Sequence, residues 1–193
     1  MEDFKAIQVY PGIHQAGKNY QVSFYNPTSL PFIGAGAQGA VFSLNSGKCV
    51  KIYASPEDAK KEATVLSHAV SSSFFPRLFD SGFNYNVMEF VHGPGLDKYL
   101  LHHNSLNAGL AFKMIDLLEE MQCLGLTRID AALRHIIITP SQSLVVIDHV
   151  HSMHTHSPNP LLLLADLKNL NLMSCFMEYV KFYKPDLYEY WSE

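Results

Sequence analysis

Asp130 and Asp148 bracket two β-rich runs, and His135 stands five positions after the first of these acids. One carboxylate that accepts a proton from a hydroxyl, a second that holds a divalent cation, and a further ligand five residues after the first make a set suited to moving a phosphoryl group. Upstream, Gly34-Ala35-Gly36-Ala37-Gln38-Gly39-Ala40-Val41 fits the pattern G-x-G-x-x-G-x-V, a spacing that lets backbone N–H groups approach phosphate oxygens. Lys51 follows between the apolar neighbours Val50 and Ile52, as a cation for those oxygens. Any one piece could arise by chance; the glycine loop, Lys51, Glu62, Asp130 and Asp148 in this order form a specific joint signal.

The elements that must position these residues narrow the chemistry. A dinucleotide-binding unit shares the glycine spacing but begins a helix at the third glycine. Here Val41-Phe42-Ser43-Leu44 is strand-like, Asn45-Ser46-Gly47-Lys48 reads as a hairpin turn, and Cys49-Val50-Lys51-Ile52-Tyr53 returns as a second strand. The glycines therefore belong to a strand-turn-strand lid whose returning strand carries Lys51.

Ser55-Pro56-Glu57-Asp58 then starts a helix, with Ser as cap, Pro in the first turn and Asp58 three places after the cap. Ala59, Ala63, Leu66 and Val70 form its apolar stripe, Glu62 falls on the same face, and Lys60 and Lys61 point away. An unpaired buried carboxylate is costly, so Glu62 needs a cation, and Lys51 is the nearest candidate along the chain. Phe74 to Phe79, a turn at Asp80-Ser81-Gly82, and Tyr85 to Val91 are expected as a further hairpin. It runs into the connector Val91-His92-Gly93-Pro94-Gly95.

Beyond the connector, Leu110, Met114, Leu117, Leu118, Met121 and Leu124 recur at helical spacing and Gly125 ends the helix. Ile136-Ile137-Ile138 and Leu144-Val145-Val146-Ile147 are expected to pair about the turn Pro140-Ser141-Gln142-Ser143. The expected register sets Ile137 opposite Val146 and His135 opposite Asp148. His149, His151, His154 and His156 are expected on a solvated loop rather than in a zinc site, because no cysteine or regular spacing supports one. The aromatic closing segment, from Leu170 through Phe176, Tyr179, Phe182 and Tyr183 to Trp191, is expected to cover neighbouring helices or to form a partner surface.

With 193 residues, 48% hydrophobic and 17% charged, the chain suits one domain or two small lobes sharing a cleft. A formal net charge of −4 and a pI near 6.2 supply no large basic field, so neither nucleic acid nor an anionic membrane is an expected partner. Cys49, Cys123 and Cys175 include no CxxC pair and read as reduced thiols of a cytoplasmic protein. Met1-Glu2-Asp3-Phe4 is acidic with no apolar core behind it, so no secretory signal is expected. The longest aliphatic run, Leu161 to Leu164, is far short of the roughly 20 residues that span a bilayer.

The residues from about Phe32 to Lys168 resemble a small bacterial serine/threonine protein kinase of the minimal, atypical type found in spore-forming bacilli, related to RIO-like and lipopolysaccharide-sugar kinases. Phe75-Pro76-Arg77-Leu78-Phe79-Asp80-Ser81-Gly82-Phe83-Asn84-Tyr85 and Leu133-Arg134-His135-Ile136-Ile137-Ile138-Thr139 carry the likeness most closely. The resemblance implies an α+β, kinase-like two-lobe fold. Its N-lobe, 1–91, would be an antiparallel sheet with one helix, joined by a hinge, 92–95, to a reduced helical C-lobe, 96–193.

By the same likeness, ATP would be held by Gly34, Gly36, Gly39, Val41 and Lys51 with Met88, Glu89, Val91 and Ile137. Met88 would line the back of the adenine pocket, and the backbone of Glu89 and Val91 would bond the base. Lys51 would pair with Glu62, Asp130 would be the catalytic base, and Asp148 with His135 would hold Mg²⁺ or Mn²⁺. Asp166, opening the next helix, would steady the catalytic loop, and a protein is the implied substrate.

Several positions depart from the family pattern. His135 replaces the usual Asn, which tilts metal preference toward Mn²⁺ because Mg²⁺ favours oxygen ligands. Ala132 stands where protein-phosphorylating kinases carry a lysine, Asp148-His149-Val150 replaces Asp-Phe-Gly, and no Ala-Pro-Glu anchor follows. A Ser/Thr kinase that also phosphorylates itself, a nucleotide-binding pseudokinase and a sugar- or aminoglycoside-type kinase all remain open.

Overall fold

A computed structural model describes residues 4–12 and 20–192, so Met1-Glu2-Asp3 of the N-terminal reading lie outside the described residues. The chain divides into two compact units, Met1–Val70 with Pro76–Phe90 and Ser71–Phe75 with Val91–Glu193. Among the described residues there are nine strands and six α-helices, and the largest sheet is five-stranded and antiparallel.

In the first unit, β1 (Gln8–Tyr10) pairs with β2 (Ser23–Tyr25). Strands β3 (Phe32–Ala35), β4 (Gly39–Asn45), β5 (Lys48–Tyr53), β6 (Leu78–Ser81) and β7 (Tyr85–Glu89) form the sheet in the order β3-β4-β5-β7-β6, and helix α1 (Pro56–His68) lies between β5 and β6 in sequence. Side chains alternate across the pleat. Ala40, Phe42, Val50, Ile52 and Val87 share one face and bury themselves with Ile7 and Val22. The opposite face carries Lys51, Tyr53 and Asn86, with Lys51 paired across the ladder to Val41 on one side and Asn86 on the other.

The glycine hairpin closes through two residues, Ala37 and Gln38, and the Gly36 N–H donates to the Gly39 carbonyl at 3.0 Å. The glycines differ in what they require. A Cβ on Gly39 would lie 2.5 Å from the Ile52 carbonyl oxygen, whereas Gly34 and Gly36 have nothing within 4 Å. Gly39→Ala is expected to cost about 1–3 kcal/mol in urea unfolding, as overpacking against rigid backbone does. Gly36→Ala should stay within about 0.5 kcal/mol of the parent.

Ser55 takes the N-cap position of α1 with Pro56 behind it, although its hydroxyl makes no capping bond. The buried stripe is Ala59, Glu62, Val65, Leu66 and Ala69. Val70 does not belong to it: the helix ends at His68, and Val70 is 77% exposed. The following hairpin also differs from expectation. Asp80 and Ser81 are strand residues and the bend falls at Phe83 and Asn84, closed by the Gly82 N–H donating to the Tyr85 carbonyl at 2.9 Å.

The second unit contains α2 (Leu96–His103), α3 (Ala108–Cys123), β8 (Ile136–Ile138), β9 (Leu144–Val146), α4 (Leu161–Asn169), α5 (Met173–Tyr183) and α6 (Pro185–Ser192). Its core is α3, whose buried face includes Leu110, Met114, Leu117, Leu118 and Met121. Asn107 caps α3 by accepting the Leu110 N–H at 2.9 Å. At the other end Gly125, at φ 73°, allows Leu126 N–H to reach the Met121 carbonyl and Gly125 N–H the Gln122 carbonyl, the paired closure that favours glycine after a helix. Phe112 of α3 stacks on Tyr183 with ring centroids 4.4 Å apart, so part of the aromatic closing segment covers this helix.

The connector is pinned within this unit. Gly93 has φ 143° and a Cβ there would meet the Ile138 carbonyl oxygen at 2.0 Å, while the Pro94 carbonyl accepts the Ile138 N–H. The β8–β9 register is one residue away from that expected: Ile136 faces Val146 and Ile137 faces Val145. Gln142 takes a left-handed conformation, φ 61°, and Thr139 bonds Ser143. The ladder ends at the Ile138–Leu144 pair, and just beyond it the Thr139 N–H donates to the Ser143 carbonyl at 2.9 Å, closing the turn around Pro140, Ser141 and Gln142. No helix among the described residues is long and apolar enough to cross a membrane.

Candidate functional site

On the first unit, β5 presents Lys51 and α1 presents Glu62, and Lys51 Nζ lies 2.6 Å from Glu62 Oε2. Glu62 is only 2% exposed. Its Oε2 also accepts the Tyr53 hydroxyl at 2.7 Å, and Tyr53 in turn accepts the Asn86 amide at 2.9 Å. A carboxylate so enclosed holds the ammonium in one place, because letting go would leave a buried charge unpaired.

Tyr53 and Asn86 were not among the residues singled out in the sequence. The signal for Tyr53 is its spacing of two from Lys51 on one strand, which puts both on one face. Asn86 lies on another strand and is brought opposite Lys51 only by the β5–β7 pairing.

Around this pair, Gly34 is in β3, Gly36 in the turn, Gly39 at the start of β4, and Val41 directly across from Lys51. Met88 is buried on β7 opposite Cys49. The Glu89 N–H donates to the Arg77 carbonyl at 2.8 Å, and its carbonyl accepts from the Cys49 thiol at 3.8 Å. Val91 falls in the second unit.

Cys49, two residues before Lys51 on the same strand, is buried, and burial pushes its thiol up to about 12 against the partial pull of Lys51. At pH 8 that leaves a thiolate fraction on the order of one in ten thousand, and the thiolate is the reacting form. Cys123 and Cys175 are exposed. Titration with a chromogenic disulfide at pH 8 should therefore find two reactive thiols in the folded protein and the third only after denaturation.

On the second unit, Asp130 lies in the loop after α3 and its Oδ1 accepts the Leu162 N–H. That N–H belongs to the first turn of α4, where donors have no partner within the helix and the dipole favours an anion. Asp166 lies in the second half of α4 rather than opening it, and its Oδ2 accepts the Leu133 N–H at 2.9 Å. Helix α4 thus ties the loop down at two points.

Asp148 follows β9 with φ 69°, a conformation uncommon for a residue with a side chain and held only by its surroundings. His135 Nε2 is 3.8 Å from Asp148 Oδ2, and the His135 carbonyl accepts the Ile147 N–H at 2.8 Å. Ile137, the remaining expected contact, is half-buried in the middle of β8. Asp130, His135 and Asp148 line one small cavity of about 70 Å³ together with Arg128, Arg134 and His151.

The histidine run does not behave as one solvated loop. His149 is 1% exposed, its Nε2 bonds the Val146 carbonyl at 2.8 Å, and its ring packs on Phe75 at 4.7 Å. It fills a core position, whereas His151, His154 and His156 are exposed. Among the described residues no three His, Cys, Asp or Glu side chains gather as a metal cluster.

No family model matches the sequence. Over 125 residues the chain is 27% identical to "Putative serine/threonine-protein kinase YrzF" of Bacillus subtilis (strain 168). The match covers 62% of this chain, and the chain spans 58% of that protein's length. This similarity supports a kinase-like family and goes no finer.

Proposed function

We propose that the chain is an ATP-dependent phosphotransferase of kinase-like, two-lobed arrangement, with lobes 1–91 and 96–193 joined by a hinge at 92–95, acting on a serine or threonine hydroxyl of a protein. The observation that carries this reading is the Lys51–Glu62 pair at 2.6 Å, with Lys51 on β5 directly across from Val41 of β4, the strand that leaves the glycine hairpin. A fixed ammonium under a lid of backbone N–H groups suits the α- and β-phosphates of a nucleotide. The name of the Bacillus subtilis relative points the same way.

In this reading Gly34, Gly36, Gly39 and Val41 cover the nucleotide and Lys51 grips its phosphates. Met88 and Ile137 enclose the adenine, with backbone of Glu89 and Val91 bonding it. Asp130 keeps Oδ1 on the α4 N-terminus and offers its other oxygen to the acceptor hydroxyl. The donor chemistry near Asp148 fits a divalent cation: one carboxylate and one imidazole 3.8 Å apart, near enough to share an ion whose other ligands are phosphate oxygens and water. Such a cation would neutralise charge on the phosphate oxygens. Because one donor is nitrogen, Mn²⁺ should support tighter nucleotide binding than Mg²⁺; equal thermal stabilisation by ATP with either metal would count against His135 as a ligand.

Incorporation of the labelled γ-phosphate into the chain itself or a generic acceptor such as casein tests the proposal, with heat-treated protein as control. Transfer supports it, and the absence of both transfer and ATP-dependent stabilisation rejects it. A second reading, nucleotide binding without transfer, is favoured by the engagement of Asp130 as a helix cap and is identified by stabilisation with no label incorporated.

A further inference from the structure

Arg128 and Arg134 line the cavity of about 70 Å³ that also takes in Asp130, His135 and Asp148, and neither holds nucleotide, metal or proton in the reading above. Arg134 is exposed and Arg128 half-buried. Among the described residues neither guanidinium makes an ion pair or a hydrogen bond, although two carboxylates share the cavity with them. We propose that these two arginines select the acceptor, by binding a carboxylate one or two residues away from the serine or threonine whose hydroxyl reaches Asp130. This role rests on transfer at Asp130 as proposed above.

The backbone of each arginine is held in place. The Arg128 N–H donates to the Ser152 carbonyl at 3.0 Å, and its neighbours extend the tie: the Ser157 N–H donates to the Thr127 carbonyl at 2.9 Å and the Ile129 N–H to the Ser157 carbonyl at 3.0 Å. Arg134 sits in the short turn Leu133–His135. The Leu133 N–H of that turn is bonded by Asp166, and the His135 N–H bonds the Ala132 carbonyl at 2.9 Å. The turn also lies against the connector, since a Cβ on Gly95 would be 3.2 Å from the Arg134 carbonyl oxygen. Two guanidinium groups on fixed stems present planar donor forks, which match a carboxylate.

The size of the cavity limits what enters it. Sites that enclose a whole small molecule measure roughly 300–1,000 Å³, whereas about 70 Å³ admits the tip of a side chain whose backbone stays outside. An extended segment advances about 3.3–3.6 Å per residue, so a carboxylate on the next residue or the one after comes within reach of an arginine beside Asp130. A lysine there would meet two cations that have no counterion at pairing distance, and like charges brought together are disfavoured. The formal net charge of the chain is −4, so the preference for an acidic segment is local to this pair. The step itself is unchanged: the acceptor oxygen takes the γ-phosphoryl group, ADP leaves, and the hydroxyl proton passes to Asp130.

The test uses short peptides with one Ser flanked on both sides by Asp, Lys or Ala, assayed with the full chain for incorporation of labelled γ-phosphate beside casein. Asp-flanked peptides should exceed Lys-flanked ones in kcat/KM by about tenfold or more, the worth of one hydrogen bond to a charged group, chiefly through KM. Arg134→Gln should bring that ratio close to unity and Arg134→Glu should invert it. Arg128→Lys, which keeps the charge, should retain more of the ratio than Arg128→Gln. Each reading compares two peptides on one protein, so the fraction of folded variant does not move it. On the parent alone, raising salt from roughly 0.05 to 0.5 M should narrow the ratio. Transfer without preference for Asp, or a ratio left unchanged by Arg134→Glu, overturns the proposal and leaves phosphoryl transfer standing; no label in peptides, casein or the chain itself overturns both.

Discussion

Asp130→Asn is expected to lower phosphoryl transfer by about 10²- to 10⁴-fold, the usual contribution of a positioned general base, with little change in thermal stability. Asp130 holds two jobs in the proposed function, and the substitution separates them. The Asn oxygen still accepts the Leu162 N–H at the start of α4, so the loop keeps one tether, while Asp166 on Leu133 provides the other. What disappears is the group that takes the hydroxyl proton. Asp130→Ala removes both functions and should in addition lose about 0.5–2 kcal/mol, as helix-cap deletions do. Label incorporation and urea titrations on the two variants check this. Transfer by Asp130→Asn at the parent's rate would remove Asp130 from the chemistry and leave it a capping residue.

Lys51→Met should destabilise the protein by about 3–5 kcal/mol, because it takes the ammonium from a carboxylate that is 2% exposed and leaves its charge to neutral donors such as the Tyr53 hydroxyl. The reverse logic gives the control. In the double variant Lys51→Met, Glu62→Leu neither charge is buried, and most of the loss should be recovered, since replacing a buried pair with apolar groups is often near neutral. Glu62→Gln keeps an acceptor for Tyr53 and should fall between the parent and Lys51→Met. Urea unfolding of the parent, Lys51→Met, Glu62→Leu and the double variant closes the cycle. Additive losses in the double variant would mean that the two side chains stabilise the unit separately, despite their 2.6 Å contact. Under the proposed function every member of the cycle lacking Lys51 also binds ATP more weakly, including the double variant whose stability has returned.

Local pattern made much of this legible. The hairpin of β4 and β5 is encoded by alternating apolar residues about a turn in which the Asn45 side chain accepts the Gly47 N–H at 2.9 Å. Helix α1 is encoded by Ser55-Pro56 and a stripe that contains one carboxylate. The end of α3 is encoded by a glycine that reaches φ 73°.

What failed was what local pattern leaves undetermined. Val70 continues the helical spacing on paper, but the chain leaves the helix before it. Ile137 and Val146 are equally apolar in either register, so the choice fell to the turn, where Gln142 adopts a left-handed conformation without glycine to announce it. His149 is of the same residue type as its exposed neighbours His151, His154 and His156, and only its packing on Phe75 sets it apart.

Which residue types are available for phosphate chemistry, and in which order the elements carry them, is legible from the residue order alone. These follow from periodicity and turn chemistry, which act over a few residues. It took the folded chain to bring Asn86 into the Glu62 network across two strands, to set Asp130 at the start of a helix some thirty residues later, and to open a groove beside α1. Those outcomes depend on strand pairing and on buried polar groups finding partners far along the chain, which nearest-neighbour pattern does not encode.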